Sequence, residues 1–321
     1  MKRSFYLLSI ALLAVGLSGA LVVGQTAVSL LDIEPGVRAL GVGGAAVALA
    51  DGPEAIYYNS ACLAELAGIG FTSSYTSHLG LAGYSALGLA SRYWGVGFLT
   101  LNSGNIPGYD ADGNSTDDLT YGSTAILLGF GLDPKQLPFI PSLPLDFRIG
   151  ARFKYLSITN GNTNGTGFGF DLGYRMEFRD MRLGPVAISN VGFGATATNI
   201  LGALSYDDRG ESQRMDLRFG VSARIAQLVL VVADLELSGS LHVGAEFSPM
   251  PMLAVRAGLL TEPGATSLTA GLGVNVEGFV VDYAFVSHPV LPASHRVSLT
   301  IDFSGLNLGG LLGRLRSLLP F

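Results

Sequence analysis

Side chains that commonly carry chemistry are sparse in this chain. The four histidines, His78, His242, His288 and His295, show no metal-ligand spacing such as H-E-x-x-H. No G-x-S-x-G turn presents a serine nucleophile. Gly165, Gly167, Gly169 and Gly173 alternate within one strand-like segment with no helix after it, so they do not form a phosphate loop. Residues 109–118 have the oxygen density of a calcium loop, but Gly113 falls at the fourth loop position and no glutamate closes it; a solvated loop is the plainer reading. His242 and Glu246, four apart on one strand face, read as a satisfied interior pair. The single Cys62 has no disulfide partner within the chain and reads as a small buried residue. No catalytic residue, metal site or cofactor is expected, and the protein is read as not an enzyme.

Charge, by contrast, follows a pattern. Arg148, Arg152, Lys154, Arg175, Arg218, Arg224, Arg256 and Arg296 alternate with apolar neighbours, as do Asp146, Asp171, Glu177, Asp216, Asp234, Glu236, Glu246, Asp282 and Asp302. Both signs are interspersed on what would be one face of many strands. Charges on adjacent strands of a barrel stand close enough to pair. A lumen network is therefore expected around Arg148, Arg152, Asp171, Arg175, Asp216, Arg218, Glu246 and Asp282. Such an interior argues against an apolar tunnel running all the way through.

The elements that would position these charges are strands. Residues 147–155 set Phe147, Ile149, Ala151, Phe153 and Tyr155 against Arg148, Gly150, Arg152 and Lys154. Residues 168–178 and 215–225 repeat the alternation, and so do 296–303. This period of two, in segments of about ten residues, marks a transmembrane barrel. Strands are predicted near 68–77, 83–92, 93–102, 119–131, 145–157, 166–178, 184–199 and 214–226. They continue near 228–238, 240–248, 251–261, 266–275, 277–287 and 294–303, about fourteen in all. A soluble β-sandwich also alternates, but with its apolar face inward.

Composition supports the barrel. Of 321 residues only 14% are charged, the mean hydropathy is +0.43, and 44 glycines disfavour long helices. Residues 1–24 read as a secretory signal, with Lys2 and Arg3, an apolar run, and small residues before a cut after Ala20 or Gly24. No later stretch approaches the roughly 20 apolar residues of a spanning helix. A net charge of −6 argues against nucleic acid as a partner. An exported, apolar, helix-poor chain points to an all-β transmembrane antiparallel barrel.

One stretch departs from the strand pattern. In residues 38–66, small residues (Gly41, Gly43, Gly44, Ala45, Ala46) lead to the turn Asp51-Gly52-Pro53, then to Tyr57-Tyr58-Asn59-Ser60. Such a run cannot build a core of its own, but glycine and alanine let its backbone approach another closely. It resembles the N-terminal signature of PorV/PorQ-type bacterial outer-membrane proteins, themselves distantly related to the FadL fatty-acid channels. Arg38-Ala39-Leu40-Gly41, Gly43-Gly44-Ala45, Val47-Ala48, Ala50-Asp51, Tyr57, Asn59 and Leu63-Ala64 match the signature, whereas Tyr58, Ser60 and Cys62 replace its Trp, Pro and Gly. The resemblance implies a small N-terminal plug over residues 25–66 inside a barrel over 67–303, with Arg38, Asp51, Tyr57 and Asn59 as plug or gating candidates.

Residues 102–118, 160–164 and 205–213 read as outer loops. The proline-rich 132–145 would lie on the membrane surface or over the barrel mouth. Leu308, Leu311, Leu312, Leu315, Leu318 and Leu319 make 304–321 an amphipathic tail: a surface helix or a frayed end. The resemblance implies two functions: a binding or scaffold barrel in protein export or surface attachment, or a FadL-like passive transporter of fatty acids and hydrocarbons. Expected partners are outer-membrane lipid, with secretion-machinery or surface proteins in the first case and a hydrophobic small-molecule ligand in the second.

Overall fold

The computed structural model describes residues 30–49, 51–78, 82–110, 112–137, 146–161, 163–178, 180–183, 185–206, 209–290, 292–304 and 306. The expected signal, most of the proline-rich stretch and nearly all of the amphipathic tail lie outside the described residues.

The alternating segments become strands, and neighbours in sequence become neighbours in the wall. β1 (Gly70–His78), β2 (Ala82–Ser91), β3 (Trp94–Tyr109), β4 (Ser115–Leu132), β5 (Asp146–Asn160) and β6 (Thr163–Phe178) pair successively, all antiparallel. β6 passes to β8 (Val186–Thr198), and β8 to β11 (Asp216–Ile225). β12 (Val229–Glu236), β13 (Leu241–Met250), β14 (Leu253–Glu262), β15 (Ala265–Val276), β16 (Phe279–Val286) and β17 (Ser294–Asp302) complete the circuit. β17 pairs back onto β1, with Gly70 opposite Asp302, so these fourteen strands close into a barrel without a lateral edge. Three short strands are additions. β7 (Met181–Leu183) lies against the start of β8, and β9 (Ala203–Tyr206) with β10 (Arg209–Ser212) forms a hairpin that carries the wall on along β6.

The two faces settle which side is in. On β6, Leu172 is 55% exposed while Asp171 beside it is 4% exposed. The apolar face is the outer one, as hydrocarbon requires and a soluble sandwich forbids. On that outer surface Phe147, Tyr174, Phe193 and Phe219 form an aromatic ladder over four strands, with successive ring centroids 5.8, 6.4 and 6.5 Å apart. Toward the opposite end, Ser85, Thr100, Thr124, Ser157, Thr166 and Ser205 stand directly opposite one another from β2 to β9. This hydroxyl row marks where the strictly apolar surface stops on that side.

Beyond the row, the expectation of long outer loops is corrected. β3 runs on to Tyr109 and β4 begins at Ser115, so most of 102–118 is strand, and 205–213 is largely the β9–β10 hairpin. Past the hydrocarbon neither face is selected for apolar residues, so strand continues after its period-two signal has faded.

The N-terminal segment has no sheet pattern and takes short helices: α1 (Val37–Gly41), α2 (Ala55–Tyr58) and a 3-10 turn over Ser60–Glu65. Asn59 starts that turn, its side chain accepting from the Ala61 N–H at 3.1 Å. Ile56, Tyr57 and Leu63 are buried against the inward side chains Tyr84, Leu99, Leu127 and Leu156 of β2–β5. Burial of an aliphatic side chain contributes roughly 1.5–3 kcal/mol. The lumen thus has an apolar sector, while charge concentrates on the rest of the wall.

Candidate functional site

Residues 42–48 have so little side-chain volume that their backbone groups must find partners in the wall. They do. The Asp234 carboxylate, 2% exposed, accepts from the N–H groups of Ala46 (2.8 Å) and Val47 (3.0 Å). The Thr269 hydroxyl accepts from the Gly43 N–H at 3.0 Å, and Ser222 donates to the Ala48 carbonyl at 3.1 Å. Arg218 donates to the Gly44 carbonyl, and His242 Nδ1 lies 2.9 Å from that of Gly43.

Close approach depends on glycine from both sides. A methyl group built on Gly244 or on Gly258 would stand 2.5 Å from the Val42 carbonyl carbon, and one on Gly194 would stand 2.7 Å from that of Val47. Gly43 and Gly44 have φ of 75° and 80°, the left-handed region that other residues rarely adopt.

Charged side chains join the segment to the wall at four places, three of them through ion pairs. Arg38 donates to both oxygens of Glu246, at 2.9 and 3.1 Å, and pairs with Asp51; Glu246 also takes Arg256 (2.7 Å), which continues to Asp282 (2.6 Å). Arg218 reaches Glu34 (2.8 Å), Asp234 (3.1 Å) and Glu236 (3.2 Å). Arg152 and Lys154 share Asp171, at 2.6 and 2.7 Å, and Arg152 also donates to the carbonyls of Ile56 (2.7 Å) and Tyr57. Arg148 and Arg175 face each other in register, two like charges, and the Glu65 carboxylate lies 3.8 Å from each.

Of the residues singled out from sequence, Arg38, Asp51, Glu246 and Asp282 thus meet in one chain of ion pairs, Arg152 and Asp171 in a second. Asp216 shares the inward face of β11 with Arg218 but makes no ion pair among the described residues. Asn59 donates to the carbonyls of Val47 (2.8 Å) and Tyr174 (3.0 Å), tying the two halves of the segment to β6. Tyr57 lies in the apolar sector, where a methyl on Gly88 would come within 2.9 Å of its hydroxyl oxygen.

One reading changes. His242 pairs with Glu236 (3.3 Å) and not with Glu246, because four residues along a strand span about 13 Å. Asp110 accepts from the N–H groups of Asp112 (3.0 Å) and Asn114 (2.8 Å), which commits its carboxylate to its own turn. Glu34 and Glu65 were not singled out from sequence. They sit in an aperiodic segment far from their partners, and no local signal marks them. Burial pushes the Cys62 thiol up to about 12, so it is inert.

Two cavities flank the segment. At the end bearing the β3–β4 and β9–β10 extensions, a cavity of about 1080 Å³ reaches Tyr57, Arg152, Leu204 and Arg218. At the end where β1 begins and β17 finishes, one of about 560 Å³ reaches Asp51, Glu54, Glu65 and Arg175. Residues 30–66 separate them.

No protein-family model matches the chain, and no curated protein matches it in sequence. Solved structures that resemble it include the outer membrane phospholipase A of Escherichia coli, with 11% identity, 76% of this chain and 98% of that chain covered, and a TM-score of 0.39. The KdgM porin in complex with disordered oligogalacturonate has 10% identity over 73% of this chain and 98% of its own, with a TM-score of 0.34. A substituted porin of Rh. blastica has 11% identity over 73% and 99%, with a TM-score of 0.32. The class rests on the molecule's own wall: closed, antiparallel, even in strand number, apolar outside and charged within. This is an outer-membrane β-barrel, and its place is the bacterial outer membrane.

Proposed function

We propose that the protein is a closed binding or scaffold barrel of the PorV/FadL-like type, non-enzymatic, acting in protein export or surface attachment. Residues 25–66 serve as its plug and 67–303 as its wall. The observation that carries this reading is the seating of residues 42–48. Their backbone lies against Gly194, Gly244 and Gly258 and is held by Asp234, Thr269 and Ser222, which suits a permanent seal better than a swinging gate. The part in export or attachment comes from the resemblance of residues 38–66. The contact surface would be the raised wall of β3–β6 and β9–β10. Its test is to trim 103–118 and 203–212 and follow co-purifying proteins. Loss of a partner from a barrel that still shifts its gel mobility on heating is expected; retention of every partner contradicts the reading.

A second reading, FadL-like uptake of a hydrophobic small molecule, is favoured by the apolar sector. Leu31, Tyr121, Leu204 and Tyr206 extend the core around Tyr57 toward the larger cavity. Passage would then require the segment to move about Asn59. Unchanged hydrocarbon uptake in both Asn59→Ala and a deletion of 38–62 would exclude it.

A further inference from the structure

The turn between β2 and β3 consists of two residues, Arg92 and Tyr93, between the paired ends Ser91 and Trp94. Tyr93 has a φ of 79°, the left-handed region that a hairpin turn normally gives to glycine, asparagine or aspartate. A tyrosine stands there against that preference, and its surroundings fix it from three sides. Its N–H donates to the Leu63 carbonyl of the N-terminal segment (3.1 Å), its carbonyl accepts from Gly131 (2.9 Å), and its hydroxyl donates to Gln136. The Arg92 guanidinium lies over the ring, 5.1 Å from the centroid. Arg92 is exposed and has no ion-pair partner among the described residues, whereas Lys135, beside Gln136, is paired with Asp146 at 3.2 Å. Next to the turn, Trp94 and Phe130 stand directly opposite each other in register, both exposed on the outer apolar face. One fixed cation without a carboxylate thus sits where the hydrocarbon begins, beside the aromatic side chains that mark such a boundary.

We propose that this turn binds an anionic phospholipid, with Arg92 on the phosphate and the acyl chains along Trp94 and Phe130. A zwitterionic lipid presents the same phosphate with a cation beside it, so the site discriminates by net charge. Tyr93 is a positioning residue: its ring holds the guanidinium ready at the boundary, which lowers the ordering cost of binding. The site lies on the outside of the wall and does not depend on how the lumen is closed.

Trp94 is the only tryptophan of the chain, so its fluorescence reports from the site itself. The full-length barrel is reconstituted in phosphatidylcholine vesicles containing a minor fraction of phosphatidylglycerol with brominated chains or, in parallel, of brominated phosphatidylcholine. Bromine on an acyl chain quenches a tryptophan that it touches. Quenching should show phosphatidylglycerol associating about fivefold more strongly, the increment of one interfacial arginine. Arg92→Gln should bring the two lipids to parity, and so should Tyr93→Gly, which relaxes the backbone and removes the ring. Tyr93→Phe should keep the preference, as should Arg182→Gln, an exposed arginine at the same end on β7. Parity in the parent overturns the proposal, and so does a preference that survives Arg92→Gln or Tyr93→Gly. An Arg182→Gln effect as large as that of Arg92→Gln would assign the preference to the charge of the whole rim. Abolition by excess inorganic phosphate would assign Arg92 to a soluble anion. Either result also overturns the lipid site.

Discussion

Arg38 and Glu246, separated by 208 positions in sequence, meet through two hydrogen bonds of 2.9 and 3.1 Å inside the barrel. One belongs to the N-terminal segment and the other to β13, so the contact is a clasp between segment and wall. Arg256 and Asp282 extend it to β14 and β16. Removing one partner of a buried pair leaves the other charge uncompensated, a loss of about 3–5 kcal/mol. Because the Arg38 side chain is 21% exposed, the lower part of that range applies. Arg38→Gln should leave the barrel folded, raise hydrogen exchange at residues 42–48, and introduce brief conducting events. Unchanged exchange there would show that the clasp does not hold the segment.

Asp234 has a sharper role, since one carboxylate serves two backbone N–H groups and Arg218. Asp234→Ala orphans both N–H groups, while Arg218 keeps Glu34 and Glu236. Buried unsatisfied groups cost roughly 1–3 kcal/mol each, more when charged. The variant is expected to lose protection at Ala46 and Val47 first, with β12 itself still protected. Uniform loss over the whole barrel would assign Asp234 to wall stability instead.

The glycine contacts predict a steric effect in the opposite sense to cavity formation. Gly244→Val introduces a side chain where even a methyl would meet Val42 at 2.5 Å. The segment should be forced off β13 and the lumen opened to ions, while Gly122→Ala, on β4 with no atom within 4 Å of the added methyl, should not conduct. Equal behaviour of the two variants would remove the seating argument.

Much of this molecule is legible in its sequence for a definite reason. Lipid outside and charge inside impose a strict period of two, and each of the fourteen wall strands falls near its predicted segment. Where that selection ends, so does the signal: β3 beyond Asn102 and the β9–β10 hairpin read as loops. Pairings within the lumen are harder, because register decides them. His242 finds Glu236 on β12 rather than Glu246 on its own strand, and Arg148 and Arg175, in direct register, share Glu65 of the N-terminal segment.

Glu54 gives the seating of the segment a pH dependence. Burial, with the nearby carboxylates of Asp282 and Asp51, raises its pKa from 4.5 to about 7, against the opposing pull of Arg38 and Arg256. A raised carboxyl is protonated in the seated segment while the released one has already ionised. Seating is therefore strongest below about pH 4.5 and weakens as pH rises through 7. Protection at residues 51–58, taken relative to the intrinsic exchange rate at each pH, should fall from pH 5 to pH 8, and Glu54→Gln should flatten that fall. A variant with the same pH profile as the parent would place the titration elsewhere.

On the proposed reading, residues 30–66 close a barrel that would otherwise be open. Single-channel recording in planar bilayers, comparing the intact protein with a deletion of 30–66 that still folds by heat-dependent gel mobility, tests it most directly. The intact barrel should show no steady conductance, and the deletion should form stable ion-conducting pores. A steadily conducting intact protein, or a folded deletion that stays silent, would contradict the account.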